Sequence, residues 1–439
     1  MRTGKRRLFS APRVAFFAVL LVLVGIGATL LVMMRTANQR PPAGASTASG
    51  VPTPASLPAL DTGALPTTPP LARPAGCNNP LAGGNGTWFP DWMENPQAQS
   101  NVPDAASSLR LVNFYWLGLG QDPSSIVAQP GDFGGPDLAT QLETAEAANP
   151  CTWRFATVSD SATPMTTMAR ILTDPVARWA NVMALADAMA AQPYDQGLTI
   201  DYEFALPNTQ EDLNTYAAVA GWHNLTDRQE VSYLTNDYTE LIRELAIAMH
   251  RQHRLLSVAV KVRLTNEITY WDISYLSPFL YDYSAIASNA DQLIYMATDF
   301  SYSSGNPGPI VPTSDLRRVI QVIGTYNIPT SKEAFELPVY GYDWTVNSSN
   351  QLLAGTQAST VTATQVAANT WHAVKIEDNE TMFTYTAGGH RHIVWYTGTQ
   401  LRKEVRLLQT LCPGCALAAW ADGNTDPAGS TAILNALSR

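Results

Sequence analysis

From about residue 85 onward two periodicities take turns along the chain. Short apolar runs of strand length recur: "TWFPDW" (87–92), "LRLVNFYWLGL" (109–119), "TWRFATVSD" (152–160) and "GLTIDYE" (197–203), then "LLSVAVKV" (255–262), "QLIYMATDF" (292–300), "FELPVYGYDW" (335–344) and "ALAAWADG" (416–423). Between them lie stretches with helical spacing. "VARWANVMALADAMAA" follows Asp174-Pro175, a side-chain cap with proline at the first helical position. "YTELIRELAIAMHRQH" (238–253), "TSDLRRVIQVIGTY" (313–326) and "TQLRKEVRLLQTL" (399–411) show the same spacing. Eight such alternations predict an α/β fold, a (β/α)8 TIM barrel, over residues 81–439. Residues 345–395 break the rhythm with short strands and a Gly-Gly turn. They predict a small α+β insertion between strands seven and eight that walls a cleft.

One strand carries unexpected charge. In "GLTIDYE" the alternation places Thr199, Asp201 and Glu203 on one face and Leu198, Ile200 and Tyr202 on the other. A buried carboxylate is costly, and two at i and i+2 raise each other's cost. The pair is either a structural ion pair with a distant arginine or an acid–base pair. In a barrel of this kind the chemistry sits at the C-terminal ends of the strands. Asp201 and Glu203 fall there, as do Asp160, Asp299, Asp343 and Asp422.

The N-terminus has a different character. Arg2, Lys5, Arg6, Arg7, Arg13, Arg35 and Arg40 are its basic residues, with no acid among the first forty, and the whole chain has a charge of −10. The remainder is therefore strongly acidic, which disfavours nucleic acid and suits a neutral polymer. Residues 1–13 read as a cytoplasmic basic tail. Val14–Met34 has 21 residues without a charge, enough to span a bilayer as a single-pass helix. The positive flank puts the body outside the cell membrane. A cleaved secretory signal is the rival, but its apolar region is usually shorter and no small-x-small site follows closely. Residues 35–80, rich in Pro, Ala and Thr, read as a tether. An exported context permits disulfides. Cys412 and Cys415 read as a small clasp, with Cys77–Cys151 as the second bond.

Taken in order, the strand motifs resemble those of family 18 glycoside hydrolases, chitinases and their relatives. "GLTIDYE" resembles the fourth-strand D-G-x-D-x-D-x-E, and "MATD" (296–299) the sixth-strand M-x-Y-D. "ELPVYGYDW", the "PGP" at 307–309 and "ALAAWADGNTDP" resemble later segments of the bacterial spore-cortex and cell-wall N-acetylglucosaminidase branch. The resemblance implies retaining cleavage of β-1,4 bonds next to N-acetylglucosamine, in which the substrate's own acetamido oxygen attacks. It implies Glu203 as general acid and Asp201 as the group that orients the acetamido and stabilises developing charge. It also implies Asp299, Thr298, Tyr340, Trp420 and Thr199 at the substrate, with Trp420 as a hydrophobic floor. It calls for no cofactor and no metal. The expected partner is a polysaccharide with N-acetylglucosamine units, peptidoglycan over chitin because of the anchor.

Three positions depart from the pattern. Gln196 stands at the first Asp, although Asp195 precedes it; Thr199 stands at the middle Asp; Thr298 stands at the Tyr. A threonine is too short to replace a phenol, and Tyr302 in the next loop is the candidate replacement. The alternative reading is a catalytically impaired, lectin-like glycan-binding protein. His390 and His392 share a hairpin face without a third ligand nearby, which favours an exposed strand over a metal site.

Overall fold

The computed structural model describes residues 62–68, 77, 81, 84–90, 101–128, 138–192, 195–266, 276–369, 371–398, 401–421 and 433–437. All belong to one compact unit, 58–439. The basic tail, the apolar run 14–34, most of the linker and Asp422 lie outside the described residues. Among the described residues no helix is long and apolar enough to cross a membrane.

Eight parallel strands close into a barrel. In chain order they are Gly86–Phe89, Leu111–Leu119, Trp153–Ser159, Gly197–Asp201, Leu255–Lys261, Gln292–Met296, Glu333–Pro338 and Ala416–Trp420. The first strand pairs with both the second and the eighth, which completes the ring. The cause is visible in the alternation. Val112, Phe114, Ala156, Val158, Leu198, Ile200, Val258, Val260, Leu293, Tyr295, Phe335 and Leu337 are buried in the cluster that includes the surrounding helices. The intervening residues Tyr115, Ala259, Ile294, Ala334, Ala416 and Ala418 form a second cluster with Trp88, inside the ring. Each strand thus buries an apolar face outward against helices and turns its other face into the lumen.

The helices begin where the residues supply caps. Asp174 accepts from the Val176 N–H at 2.9 Å and opens Pro175–Ala190. The next long helix, Asp227–Arg251, starts eleven residues before the apolar spacing becomes clear, behind a Thr226/Gln229 capping box. Its first turns are polar, which hid them.

The insertion is larger than the sequence suggested. The seventh apolar run is split: 333–338 lies in the barrel, whereas Gly341–Val346 begins a five-stranded antiparallel sheet. That sheet also contains 359–361, 372–377, 380–387 and 390–396. Gly341 marks the crossing. A Cβ there would meet the Trp395 carbonyl oxygen at 2.1 Å, so only glycine lets the strands approach. Asp343 therefore sits in the insertion sheet and not at the end of a barrel strand. His392 accompanies it: its Nδ1 lies 3.0 Å from Asp343 Oδ1 and its side chain is largely buried, so this end of the hairpin is not a bare exposed strand.

Residues 62–68, assigned to the tether by composition, pack on the barrel. Leu65 joins the core, and Thr68 Oγ1 donates to the Gln252 carbonyl at 3.0 Å. A lone leucine among Pro and Thr carries no periodic signal. Cys77 is bonded to Cys151, and Cys412 to Cys415. The second bond lies beside Glu333, at the start of the seventh strand and far from that strand's C-terminal end.

The insertion is pinned by carboxyls. Glu380 accepts the Ile310 and Val311 N–H groups at 2.8 and 2.6 Å, and Asp378 accepts Thr313 N–H at 3.2 Å. These contacts tie the hairpin to the loop after strand six. Glu404, on helix Leu401–Leu411, is buried behind them with neither carboxyl oxygen hydrogen-bonded. Burial holds Glu380 up at about 8. Burial, then the charges of Glu380 and Asp378, push Glu404 well above the usual carboxyl range. Folded-state values above the unfolded ones mean stability that is complete below about pH 4 and lost as pH rises through the folded value. The melting midpoint should fall between pH 6 and pH 9. Glu404→Gln should flatten that fall and raise the pH 9 midpoint by at least about 2 °C. Parallel melting curves for both proteins across this range would contradict the assignment.

Candidate active site

At the C-terminal ends of the barrel strands lies a cavity of about 770 Å³. The fourth strand ends on Asp201 and the chain then turns. Asp160, from the end of strand three, dictates that turn. Its carboxylate accepts the N–H groups of Glu203 and Phe204 at 3.0 Å and Ala205 at 2.9 Å. Tyr281 donates to the Tyr202 carbonyl at 2.9 Å from the other side. The Glu203 backbone is thus fixed before any ligand arrives.

Asp201 and Glu203 both line the cavity. Asp201 is 1 % exposed. Its Oδ2 accepts the hydroxyl of Tyr115, and its Oδ1 has no hydrogen-bond partner among the described residues. Glu203 meets Lys261 from the end of strand five. The ammonium lies 3.6 Å from Oε2 and donates to the Glu203 carbonyl at 3.1 Å. Burial is the main force on both acids, and it raises both. Asp201 is pushed up further by the charge of Glu203; Lys261 pulls Glu203 back down. Burial thus favours the protonated form of both acids, and Lys261 works against it on Glu203.

Asp299 follows strand six. It sits at φ 58°, in the left-handed region, which costs a non-glycine residue about 1 kcal/mol or more. Tyr340 and Tyr342 hold it there, donating to Oδ1 at 2.6 and 3.0 Å. Trp420 ends strand eight and packs edge-on against Trp88 and Tyr115, with ring centroids 5.7 and 5.4 Å away. That aromatic base supports an apolar floor. Thr298 lines the cavity beside Asp299. Tyr302 also lines it but is 55 % exposed, edge-on to Tyr342, and its hydroxyl donates to nothing among the described residues. Phe204, 57 % exposed, is a second aromatic of the lining.

Thr199 does not reach the cavity. It is fully buried below Asp201 and donates to Asn113 Oδ1 at 3.0 Å, so it closes the lumen and touches no ligand. Gln196 and Asp195 lie deeper still. Asp195 accepts the Ala156 N–H at 3.1 Å, and Gln196 Oε1 accepts the Arg154 N–H at 3.2 Å. They join strands rather than serve the site. Burial raises Asp195 to about 7.

Among the lining residues that the sequence did not single out are Tyr115, Lys261 and Glu336. Each was legible by the rule that exposed Asp201. Lys261 and Glu336 are charges at lumen-facing positions of apolar strands. Tyr115 is a phenol two places along from Asn113 on the lumen face of strand two. Among the described residues, Glu333, Cys412 and Cys415 could group around a metal ion, but the cysteines are bonded to each other and lie apart from the cavity. Nothing in the cavity itself groups as a metal site among the described residues.

No family model matches the chain. Curated relatives do. A protein of Bacillus subtilis described as a sporulation-specific glycosylase, YdhD, is 26% identical over 220 residues, 48% of this chain and 44% of that protein. The cortical fragment-lytic enzyme of the same organism is 28% identical over 167 residues, 36% of each chain. This chain thus spans less than half the length of the curated relatives it matches. Solved structures share the fold over more of it. The spore cortex-lytic enzyme SleL of Bacillus cereus aligns with a TM-score of 0.61 at 14% identity, covering 80% of this chain and 74% of that one. A chitinase of Chromobacterium violaceum aligns with a TM-score of 0.61 at 17% identity, covering 81% and 99%. The barrel fold is thus shared with solved chitinases and spore cortex-lytic enzymes, and the sequence is similar over part of its length to sporulation glycosylases.

Proposed function

We propose that the protein is a retaining glycoside hydrolase that cuts β-1,4 linkages next to N-acetylglucosamine by substrate-assisted catalysis. The observation that carries this reading is the carboxyl pair. Asp201 ends a barrel strand and Glu203 follows it two residues on, both lining the cavity floored by Trp420, and Asp201 keeps one buried oxygen without a hydrogen-bond partner among the described residues. Turned to face the cavity, that oxygen would take the N–H of an acetamido group. With the amide held, its carbonyl oxygen attacks the anomeric carbon, the glycosidic C–O bond breaks, and the leaving oxygen takes the proton from Glu203. Water then gives a proton back to Glu203 and its oxygen to the anomeric carbon, which reopens the oxazolinium ring. Two inversions give retention. Asp201 stabilises the positive charge of the intermediate from a site of low dielectric. Asp299 and Tyr340 bind sugar hydroxyls, Trp420 lies under the distorted ring, and Tyr302 and Phe204 supply ring faces to neighbouring units.

Peptidoglycan is the favoured glycan, supported by the cortex-directed relatives. The charge asymmetry of residues 1–34 supports a membrane-tethered enzyme whose barrel lies outside the cytoplasm. The competing reading, a glycan-binding protein without turnover, draws on Thr298, which cannot supply the phenol of the family pattern.

Release of reducing ends from N-acetylglucosamine oligomers and from purified peptidoglycan tests the reading. Glu203→Gln should keep its melting curve and its sugar binding while losing roughly a hundredfold or more in kcat. Turnover near that of wild type would refute the assignment. An inactive wild type that binds the oligomers would favour the binding protein. A second variant tests the electrostatics. Lys261→Met removes the charge that lowers Glu203, so Glu203 should hold its proton to higher pH. The alkaline limb of the pH–rate profile should move upward. An unmoved limb, or one shifted downward, would show that Lys261 does not act on the acid.

A further inference from the structure

The Thr298 departure leaves a question about the acetamido carbonyl, and the cavity holds an answer. Seating that carbonyl for attack needs a hydrogen-bond donor close to Asp201. The phenols nearby are committed: Tyr115 donates to Asp201, and Tyr340 and Tyr342 to Asp299. Lys261 donates to the Glu203 carbonyl. Tyr302 is more than half exposed.

Glu336 remains. It stands on strand seven, across the ladder from Met296 on strand six and Ala418 on strand eight. It follows Ala334 by two residues, so it faces the lumen as Ala334 does. It lines the cavity, is 4 % exposed, and makes no hydrogen bond or ion pair among the described residues. A carboxyl side chain in such a place has no structural purpose that the fold reveals.

Resting on the glycosidase reading above, we propose that Glu336 seats the substrate's acetamido group by donating a carboxyl hydrogen bond to its carbonyl oxygen. The carboxyl must be neutral to donate, and its surroundings keep it so. Burial, then the charges of Asp201, Glu203 and Asp299, hold it well above the usual range. A neutral acid on strand seven thereby stands in for the phenol missing from strand six. The same contact would make the site selective for N-acetylated sugars, because a hydroxyl at that carbon does not reach as far as an acetyl oxygen.

Calorimetric binding in the Glu203→Gln background, where turnover is blocked, tests this directly. The probes are a tetramer of β-1,4-linked N-acetylglucosamine and the β-1,4-linked glucose tetramer. Glu336→Gln keeps a donor of the same length and should bind the N-acetylated tetramer within about threefold of the parent. Glu336→Leu has no donor and should bind it about tenfold or more weakly, with the glucose tetramer bound alike by all three. Equal affinity of the Leu variant and its parent for the N-acetylated tetramer would overturn the proposal. So would a loss of the same size for the glucose tetramer, which would indicate mere repacking. Melting curves establish that each variant folds; should the Leu variant be unfolded, a weakened Gln variant would count against the proposal and an intact one for it. Wild-type hydrolysis, measured separately, decides the glycosidase reading whatever these affinities show.

Discussion

Four carboxyls line one cavity: Asp201, Glu203, Asp299 and Glu336. Among the described residues, only Lys261 forms an ion pair with any of them. Four negative charges so enclosed would repel each other strongly, so the cavity holds protons instead. Every one of the four is displaced upward, and burial is the largest cause each time. The rest of the site follows from that excess of protons. Under the proposed glycosidase reading, that excess would keep an acid available to a leaving group near neutral pH.

The fold supports this constraint by fixing backbone. Asp160 spends its carboxylate on three successive N–H groups, which holds Glu203 in place without placing another cation in the cavity. Tyr340 and Tyr342 come from the point where the chain leaves the barrel for the insertion, and they clamp Asp299 in a left-handed conformation. The insertion sheet is itself fastened to the loop after strand six through Glu380. Cleft wall, tyrosine clamp and substrate acid are thus one connected unit, anchored by buried polar contacts rather than by apolar packing alone.

Much of this was written in the apolar alternation. All eight barrel strands overlap the eight runs, two of them starting one or two residues earlier, because outward-facing valines, leucines and isoleucines leave a period-two trace. Asp201 and Glu203 stood out as charges breaking such a trace. Glu336 and Lys261 broke it equally, yet isolated charges in "FELPV" and "VAVKV" resemble strand ends when no second acid marks them. The split of the seventh run at Gly341 was illegible, because barrel strand and insertion strand share one composition and only the close approach to Trp395 separates them. The start of Asp227–Arg251 was hidden by a polar first face. Leu65 and Cys77 show the limit of composition: a Pro-rich segment is held by one leucine and one disulfide that no periodicity announces.

The stereochemistry of the first product tests the account at its centre. Attack by the substrate's acetamido oxygen, oriented by Asp201 and followed by water from the same face as the departed sugar, keeps the anomeric configuration. Proton NMR of wild-type protein acting on a short N-acetylglucosamine oligomer can follow the new reducing end before it mutarotates. The β-anomer should appear first and decay towards equilibrium. An α-anomer appearing first would mean direct attack by water, and the roles given to Asp201 and Glu203 would be wrong.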